Sequence, residues 1–132
     1  MNLLLDTNAF VYWLYGTLPP RVKRRVERAT GLLLSVVSPW EIANKSSIYA
    51  KRAGDLRLPT IREMEQGLED LGARLLPVTM HHSERLYSLP LHHKDPFDRM
   101  IIVQAIEEQC AVLTSDERFP LYQSVGLQVL WD

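Results

Sequence analysis

A chain of 132 residues, 46% hydrophobic and 23% charged, is long enough to bury a continuous core and short for two. One domain spanning residues 1–132 is therefore expected, and a disordered or fibrous chain is excluded. The net charge of −1 hides an asymmetry: residues 1–62 carry ten Lys/Arg against four Asp/Glu, and the remainder five against twelve, so near-neutrality does not argue against a polyanionic partner.

Apolar runs of strand length alternate with segments of helical period. Leu3 to Leu5 reads as a short buried strand cut by Asp6, with no basic residue before it, and is not expected to be a signal peptide. No stretch nears the roughly 18 apolar residues of a membrane span. Thr7 to Tyr15 reads as a helix ended by Gly16. Pro19-Pro20 opens a second helix, since proline in the first turn forfeits no hydrogen bond. There Val22, Val26 and Ala29 form a buried stripe, while Arg21, Arg24, Arg25 and Arg28, joined by Lys23, form a cationic one.

After a break at Gly31, Leu32 to Val37 reads as a second buried strand. Ser38-Pro39-Trp40-Glu41 has the cap, proline and glutamate of a capping box, predicting a helix to about Arg52 that stops at Gly54. Thr60-Ile61-Arg62-Glu63 repeats the box and opens a helix ending at Gly72. Leu75 to Val78 is a short strand, and Thr79 caps a helix through Ser88. Asp95 suits a cap and Pro96 a first helical position, with Met100, Ile101, Val103, Ala105 and Ile106 buried behind. Cys110, the single cysteine, is expected as a buried thiol in a reducing compartment, hence a cytoplasmic protein. Ala111 to Thr114 is a strand, Phe119 to Ser124 a short helical turn and Leu127 to Trp131 a last strand. This alternation predicts an α/β fold whose mostly parallel sheet is covered on both faces.

In such sheets, sites form where strands deliver their carboxyl ends. Four acidic residues fall at that edge. Asp6 ends the first strand, Glu41 and Asp98 lie one turn into helices, and Asp116 follows the strand ending near Thr114. Convergent carboxylates repel one another and raise their own pKa values, and a hard divalent ion such as Mg²⁺ or Mn²⁺, which takes oxygen ligands, relieves that repulsion. Such an ion suits phosphodiester hydrolysis. Each residue also has a local reading: Glu41 as capping-box partner, Asp98 as a helix-dipole partner, Asp116 as a turn aspartate. Asp6 interrupts an apolar strand and fits a purely local role least well.

Leu3-Leu4-Leu5-Asp6-Thr7-Asn8, Ser38-Pro39-Trp40-Glu41-Ile42-Ala43, Asp95-Pro96-Phe97-Asp98-Arg99-Met100-Ile101 and Leu113-Thr114-Ser115-Asp116 together resemble the PIN-domain ribonucleases, in particular the VapC toxins of toxin–antitoxin pairs. The resemblance spans Leu3 to Asp116. It implies a three-layer α/β/α PIN-like fold and a Mg²⁺- or Mn²⁺-dependent endoribonuclease acting on structured RNA (tRNA or rRNA). It also implies a VapB-type antitoxin partner and a homodimer. The catalytic set it implies is Asp6, Glu41, Asp98 and Asp116, with Asp6, Asp98 and Asp116 as metal ligands.

Around that set, Thr7, Asn8, Thr114 and Ser115 could orient ligands or make ordinary turn hydrogen bonds. Lys45 could be a surface partner of Glu41 or meet a phosphate. Asp95 reads as the helix cap or as an outer-shell partner, and Arg99 as structural. The Arg21–Arg28 stripe could track an RNA backbone or face solvent. The pairs His81-His82 and His92-His93 lack zinc spacing and no transition-metal site is expected; His92 and His93, on the loop before Asp95, could touch substrate but read first as solvated loop residues. Tyr12, Trp13 and Tyr15 read as core or interface. Other classes can be set against the same residues. A haloacid-dehalogenase-type phosphotransferase needs a second acid two positions after Asp6, where Asn8 stands. A receiver domain needs an aspartate after its third strand, which Leu75 to Thr79 lacks. A non-catalytic module that only binds RNA or an antitoxin stays open.

Overall fold

The computed structural model describes residues 2–49 and 57–132. Among them five strands form one sheet: β1 (Asn2–Leu5), β2 (Gly31–Ser35), β3 (Arg74–Leu76), β4 (Ala111–Leu113) and β5 (Gln128–Leu130), in the order β3-β2-β1-β4-β5. Every pairing is parallel, with Leu5 opposite both Leu34 and Leu113. Six α-helices connect them: α1 (Thr7–Leu14), α2 (Pro20–Arg28), α3 (Val37–Tyr49), α4 (Ile61–Leu71), α5 (Met80–Arg85) and α6 (Pro96–Glu107).

Neighbouring strand residues project to opposite faces, and the core divides accordingly. Leu4, Leu33 and Val112 pack with Ile101, Ile102, Phe119 and Tyr122. Leu5, Leu34 and Leu113 pack with Phe10, Val22, Val26, Ile42 and Met64. Helices therefore cover both faces of a parallel sheet, and the inner strands β1 and β4 read as apolar runs because neither of their faces meets water. The expected three-layer α/β/α arrangement is what the chain adopts. No helix among the described residues is long and apolar enough to cross a membrane.

Local chemistry explains most element boundaries. At α4, Thr60 Oγ1 accepts from the Glu63 N–H at 3.2 Å and Glu63 answers to the Thr60 N–H at 3.3 Å, while Gly72 closes the helix with φ +69°, a conformation open to glycine. Thr79 caps α5 through the His82 N–H, but the predicted helix through Ser88 tightens after Arg85 into a 3₁₀ turn, Leu86–Ser88. The third strand is Arg74–Leu76, earlier than the expected 75–78.

The capping box expected at Ser38 is not formed. α3 begins at Val37, whose N–H is taken by Ser35 Oγ at 3.2 Å, so β2 stops at Ser35 rather than Val37. Ser38 is already helical and bonds to Thr7 Oγ1 at 2.9 Å. Pro39 remains in the first turn, where its missing N–H costs nothing. The expected end of this helix near Arg52 and Gly54 lies outside the described residues.

β1 leads outward to β2 and β3, after which α5 and α6 carry the chain back across to β4. The carboxyl ends of β1 and β4 thus flank the point where strand order reverses, the place such sheets leave a crevice. Leu4, 0% exposed at the centre of β1, anchors this geometry. Leu4→Ala is expected to cost about 2–5 kcal/mol, read as a lower urea midpoint with an unchanged denaturant slope.

Candidate active site

Asp6 follows β1 directly and is 4% exposed. It caps α1, with Oδ1 accepting from the Ala9 N–H at 2.8 Å. Its Oδ2 accepts from Thr114 Oγ1 at 2.5 Å, and that same hydroxyl oxygen accepts from the Asp116 N–H at 3.0 Å. One threonine side chain beyond the end of β4 therefore links two of the predicted acidic residues. The Asp6 N–H, bonded to the Leu113 carbonyl at 3.1 Å, continues the β1–β4 ladder up to the site.

Glu41 enters from α3, 4% exposed. Its Oε2 accepts from Lys45 Nζ at 2.6 Å, whereas Oε1 is buried with no hydrogen-bond partner among the described residues. Because α3 starts early, Glu41 is not spent on a capping box, and the Ser38–Thr7 bond ties its helix to α1. Asp98 enters from the first turn of α6, which Asp95 caps by accepting from the Phe97 and Asp98 N–H groups at 2.9 and 3.0 Å. His93 completes the cluster: its Nε2 lies 3.0 Å from Asp116 Oδ2 and 3.1 Å from Asp98 Oδ2. Ligating atoms of His93, Asp98 and Asp116 fall within 4.8 Å of one another.

The electrostatics show crowded carboxylates. Burial pushes Asp98 up from 3.8 to about 8, helped by the charges of Asp95, Glu41, Asp6 and Asp116. Burial also raises Asp6, to about 6, although the Thr114 and Ala9 hydrogen bonds pull it back. Asp116 feels the same burial, but hydrogen bonds from the Arg118 N–H and the His93 ring, with the Arg118 guanidinium, hold it below the usual carboxylate range. Burial would lower Lys45, yet the Glu41 bond and the charges of Glu41, Asp95 and Asp98 raise it above an ordinary lysine, which places its ammonium beside the cluster.

Asp6, Glu41, Asp98 and Asp116 are thus brought together, with Thr114, Lys45 and Asp95 around them. Asp95 is the helix cap. Asp116 also makes the turn expected of it, through the Arg118 N–H at 2.8 Å. Thr7 is buried but committed to Ser38, and Asn8 and Ser115 are exposed. The cationic stripe lies elsewhere: Arg21, Arg24, Arg25 and Arg28 line a cavity with Leu3, Leu130 and Asp132, whereas Lys23 lines a different one with Trp13 and Glu27. Arg99 is structural, donating to the carbonyls of Leu89, Pro90 and His93. Trp13 packs on the core cluster that holds Phe10, and Tyr12 meets Trp131 edge-on.

His93 corrects the expectation of a solvated loop residue. His92 is exposed, but His93 is 2% exposed and sits between two of the acids. A local signal existed, since His93 stands two residues before a helix cap and its Nδ1 accepts the Asp95 N–H at 3.2 Å. Its approach to Asp116 crosses 23 residues of sequence and left no local trace.

The family model described as PIN domain matches residues 3–123. Comparison with curated proteins finds no match. Among solved structures, the chain is similar to VapBC2 from Rickettsia felis bound to a DNA fragment from its promoter, at 16% identity and TM-score 0.63, covering 100% of both chains. It is equally similar to VapBC-1 from nontypeable Haemophilus influenzae, at 16% identity and TM-score 0.63 with 99% and 98% covered. DNA-bound VapBC from Salmonella typhimurium gives 16% and 0.63, with 98% and 97% covered. At these identities the likeness concerns the fold.

Two outcomes follow from the geometry. An unfolded Asp98 ionises near 3.8 and the folded one near 8, so between these values the folded protein holds a proton the unfolded chain has lost. Its contribution to stability is full below about pH 4 and is lost as pH rises to about 8. Without divalent ions, Asp98→Asn is expected to melt with wild type at pH 4 and well above it at pH 8, by circular dichroism. Thr114→Val should cost about 1–3 kcal/mol in chemical denaturation, because Asp6 Oδ2 is left buried without its donor.

Proposed function

Because the chain belongs to the PIN-domain family, we propose that residues 1–132 form one domain acting as a Mg²⁺- or Mn²⁺-dependent endoribonuclease, the toxin of a VapBC-type toxin–antitoxin pair. The observation that carries this reading is the convergence of Asp6, Glu41, Asp98 and Asp116 at one sheet edge, with Glu41 Oε1 buried and unpartnered. Four oxygen donors, among which neighbouring charges add to burial in raising Asp6 and Asp98, fit a hard divalent cation, and the orphaned Glu41 oxygen has no other partner among the described residues. Asp6, Asp98 and Asp116 would hold it, with Glu41 beside them.

When bound, such an ion supplies Lewis acidity to a phosphoryl oxygen and acidifies water at neutral pH. Asp98 must surrender its proton for the ion to bind, so binding strengthens as pH rises. Thr114 and Ala9 hold both oxygens of Asp6 in place, which spares reorganisation when substrate arrives. Lys45, cationic and half in solvent, is positioned to meet an RNA phosphate at the rim. The α2 arginines, remote from the carboxylates, suit contacts to more distant phosphates, adding affinity without sequence choice.

Protein partners are supported by an apolar cavity of about 530 Å³ lined by Val36 and Trp40 at the start of α3, Val78 and Leu86 on either side of α5, and Phe97 and Met100 of α6. Trp40 is 64% exposed there and meets Phe97 edge-on at 5.0 Å. Exposed apolar surface of this kind marks contact sites, and its occupant on this reading is a VapB-type antitoxin or a second copy of the chain. The buried free thiol of Cys110 accords with a cytoplasmic setting.

Purified protein, freed of any antitoxin, is expected to cleave total RNA in Mg²⁺ or Mn²⁺ and not in EDTA. Asp6→Asn and Asp98→Asn should each lower the rate by about 100-fold or more with the circular dichroism spectrum unchanged. Equal RNA loss in EDTA would sink the metal mechanism. Binding without cleavage in every ion would favour a non-catalytic module.

A further inference from the structure

The segment from Leu89 to His93 is held with unusual completeness for a loop. The Tyr122 hydroxyl accepts from the His92 and His93 N–H groups at 2.9 and 2.8 Å and donates to the Pro90 carbonyl at 2.7 Å. Arg99 adds donations to the carbonyls of Pro90, His93 and Leu89 at 3.0, 3.2 and 3.3 Å. The imidazole of His93 packs edge-on against Phe119, centroids 5.8 Å apart at 83°. Side chains from α6 and from the Phe119–Val125 turn thus fix one ring, 2% exposed, in one place.

That ring's two nitrogens have separate duties. Nδ1 accepts the Asp95 N–H at 3.2 Å, which requires a lone pair there. In a neutral imidazole the hydrogen then sits on Nε2. This N–H faces Asp116 Oδ2 at 3.0 Å as a hydrogen bond, with Asp98 Oδ2 3.1 Å away.

We infer that His93 is a positioning residue of the metal site rather than a ligand: its Nε2–H, oriented by the Asp95 backbone, sets the spacing of the Asp98 and Asp116 carboxylates and bars the cluster's one nitrogen from coordination. The site then presents oxygen alone, which suits Mg²⁺ and Mn²⁺ and disfavours ions that seek nitrogen or sulfur. Outer-shell donors of this kind typically govern metal affinity by about 10–100-fold. The inference rests on the carboxylate metal site proposed above.

The test combines ring spectroscopy with Mn²⁺ binding followed by electron paramagnetic resonance. In protein labelled with ¹⁵N-histidine, the His93 ring is expected to show a hydrogen on Nε2 and none on Nδ1, both metal-free and saturated with Mg²⁺. Loss of the Nε2 hydrogen on adding Mg²⁺ would make His93 a ligand and overturn the inference. His93→Ala should weaken Mn²⁺ binding by about 10–100-fold. His93→Gln, whose amide N–H can occupy the place of Nε2–H, should stay within about threefold of wild type. Unchanged affinity in a folded His93→Ala protein, or a His93→Gln protein as weak as His93→Ala, overturns the donor role. Should His93→Ala not fold, the glutamine variant and the ring spectrum still decide. Asp98→Asn separates the two levels: if it binds Mn²⁺ like wild type, the carboxylate site itself is wrong, whatever His93 does.

Discussion

Four carboxylates gathered at the carboxyl end of one sheet repel one another, and burial withholds the water that would screen them. Much of the surrounding structure answers this repulsion. Asp6 and Asp95 sit at helix N-termini, where unpaired N–H groups and the helix dipole favour negative charge. Thr114 gives its hydroxyl to Asp6, Lys45 gives an ammonium to Glu41, and Arg118 and His93 share Asp116. What stays unrelieved is concentrated on Asp98, pushed to about 8, and on the unpartnered oxygen of Glu41. Both are features a cation would satisfy.

The same contacts are structural. The Asp6–Thr114 bond closes the gap where β1 and β4 end, and Ser38 bound to Thr7 locks α3 to α1 at that edge. Tyr122 and Arg99 pin the loop that carries His93. Site and scaffold are therefore not separable, and a substitution that loosens either shifts the other. On the proposed reading, a cation bound at this edge would relieve the repulsion and stabilise the folded chain, the linkage expected when a ligand binds only the folded state.

Much of the fold was legible because its signals are local. Pro20 and Pro96 mark helix starts, Thr60 with Glu63 makes a capping box, Gly72 closes a helix, and three leucines before Asp6 read as a strand. The boundaries that moved did so for tertiary reasons. Ser38 and Glu41 have the spacing of a capping box, yet each finds a partner outside it, Thr7 and Lys45, and the helix starts earlier to deliver them. His93 differs from its expectation because a histidine on a loop before a helix cap reads as solvated. Its burial comes from Tyr122, Phe119 and Asp116, all more than 20 residues away.

By itself the sequence determined which residues carry charge at strand ends and helix starts, since period, caps and proline positions act within a few residues. Asp6, Glu41, Asp98 and Asp116 were visible in that way as a set sharing one edge. Only the tertiary structure decided how the four divide the work. Which oxygen is left unpartnered, which acid keeps its proton to about pH 8 and which is held ionised depend on burial and on donors brought in by chain reversal at β1 and β4. Desolvation and long-range hydrogen bonds are properties of the packed edge, and no local run of residues encodes them.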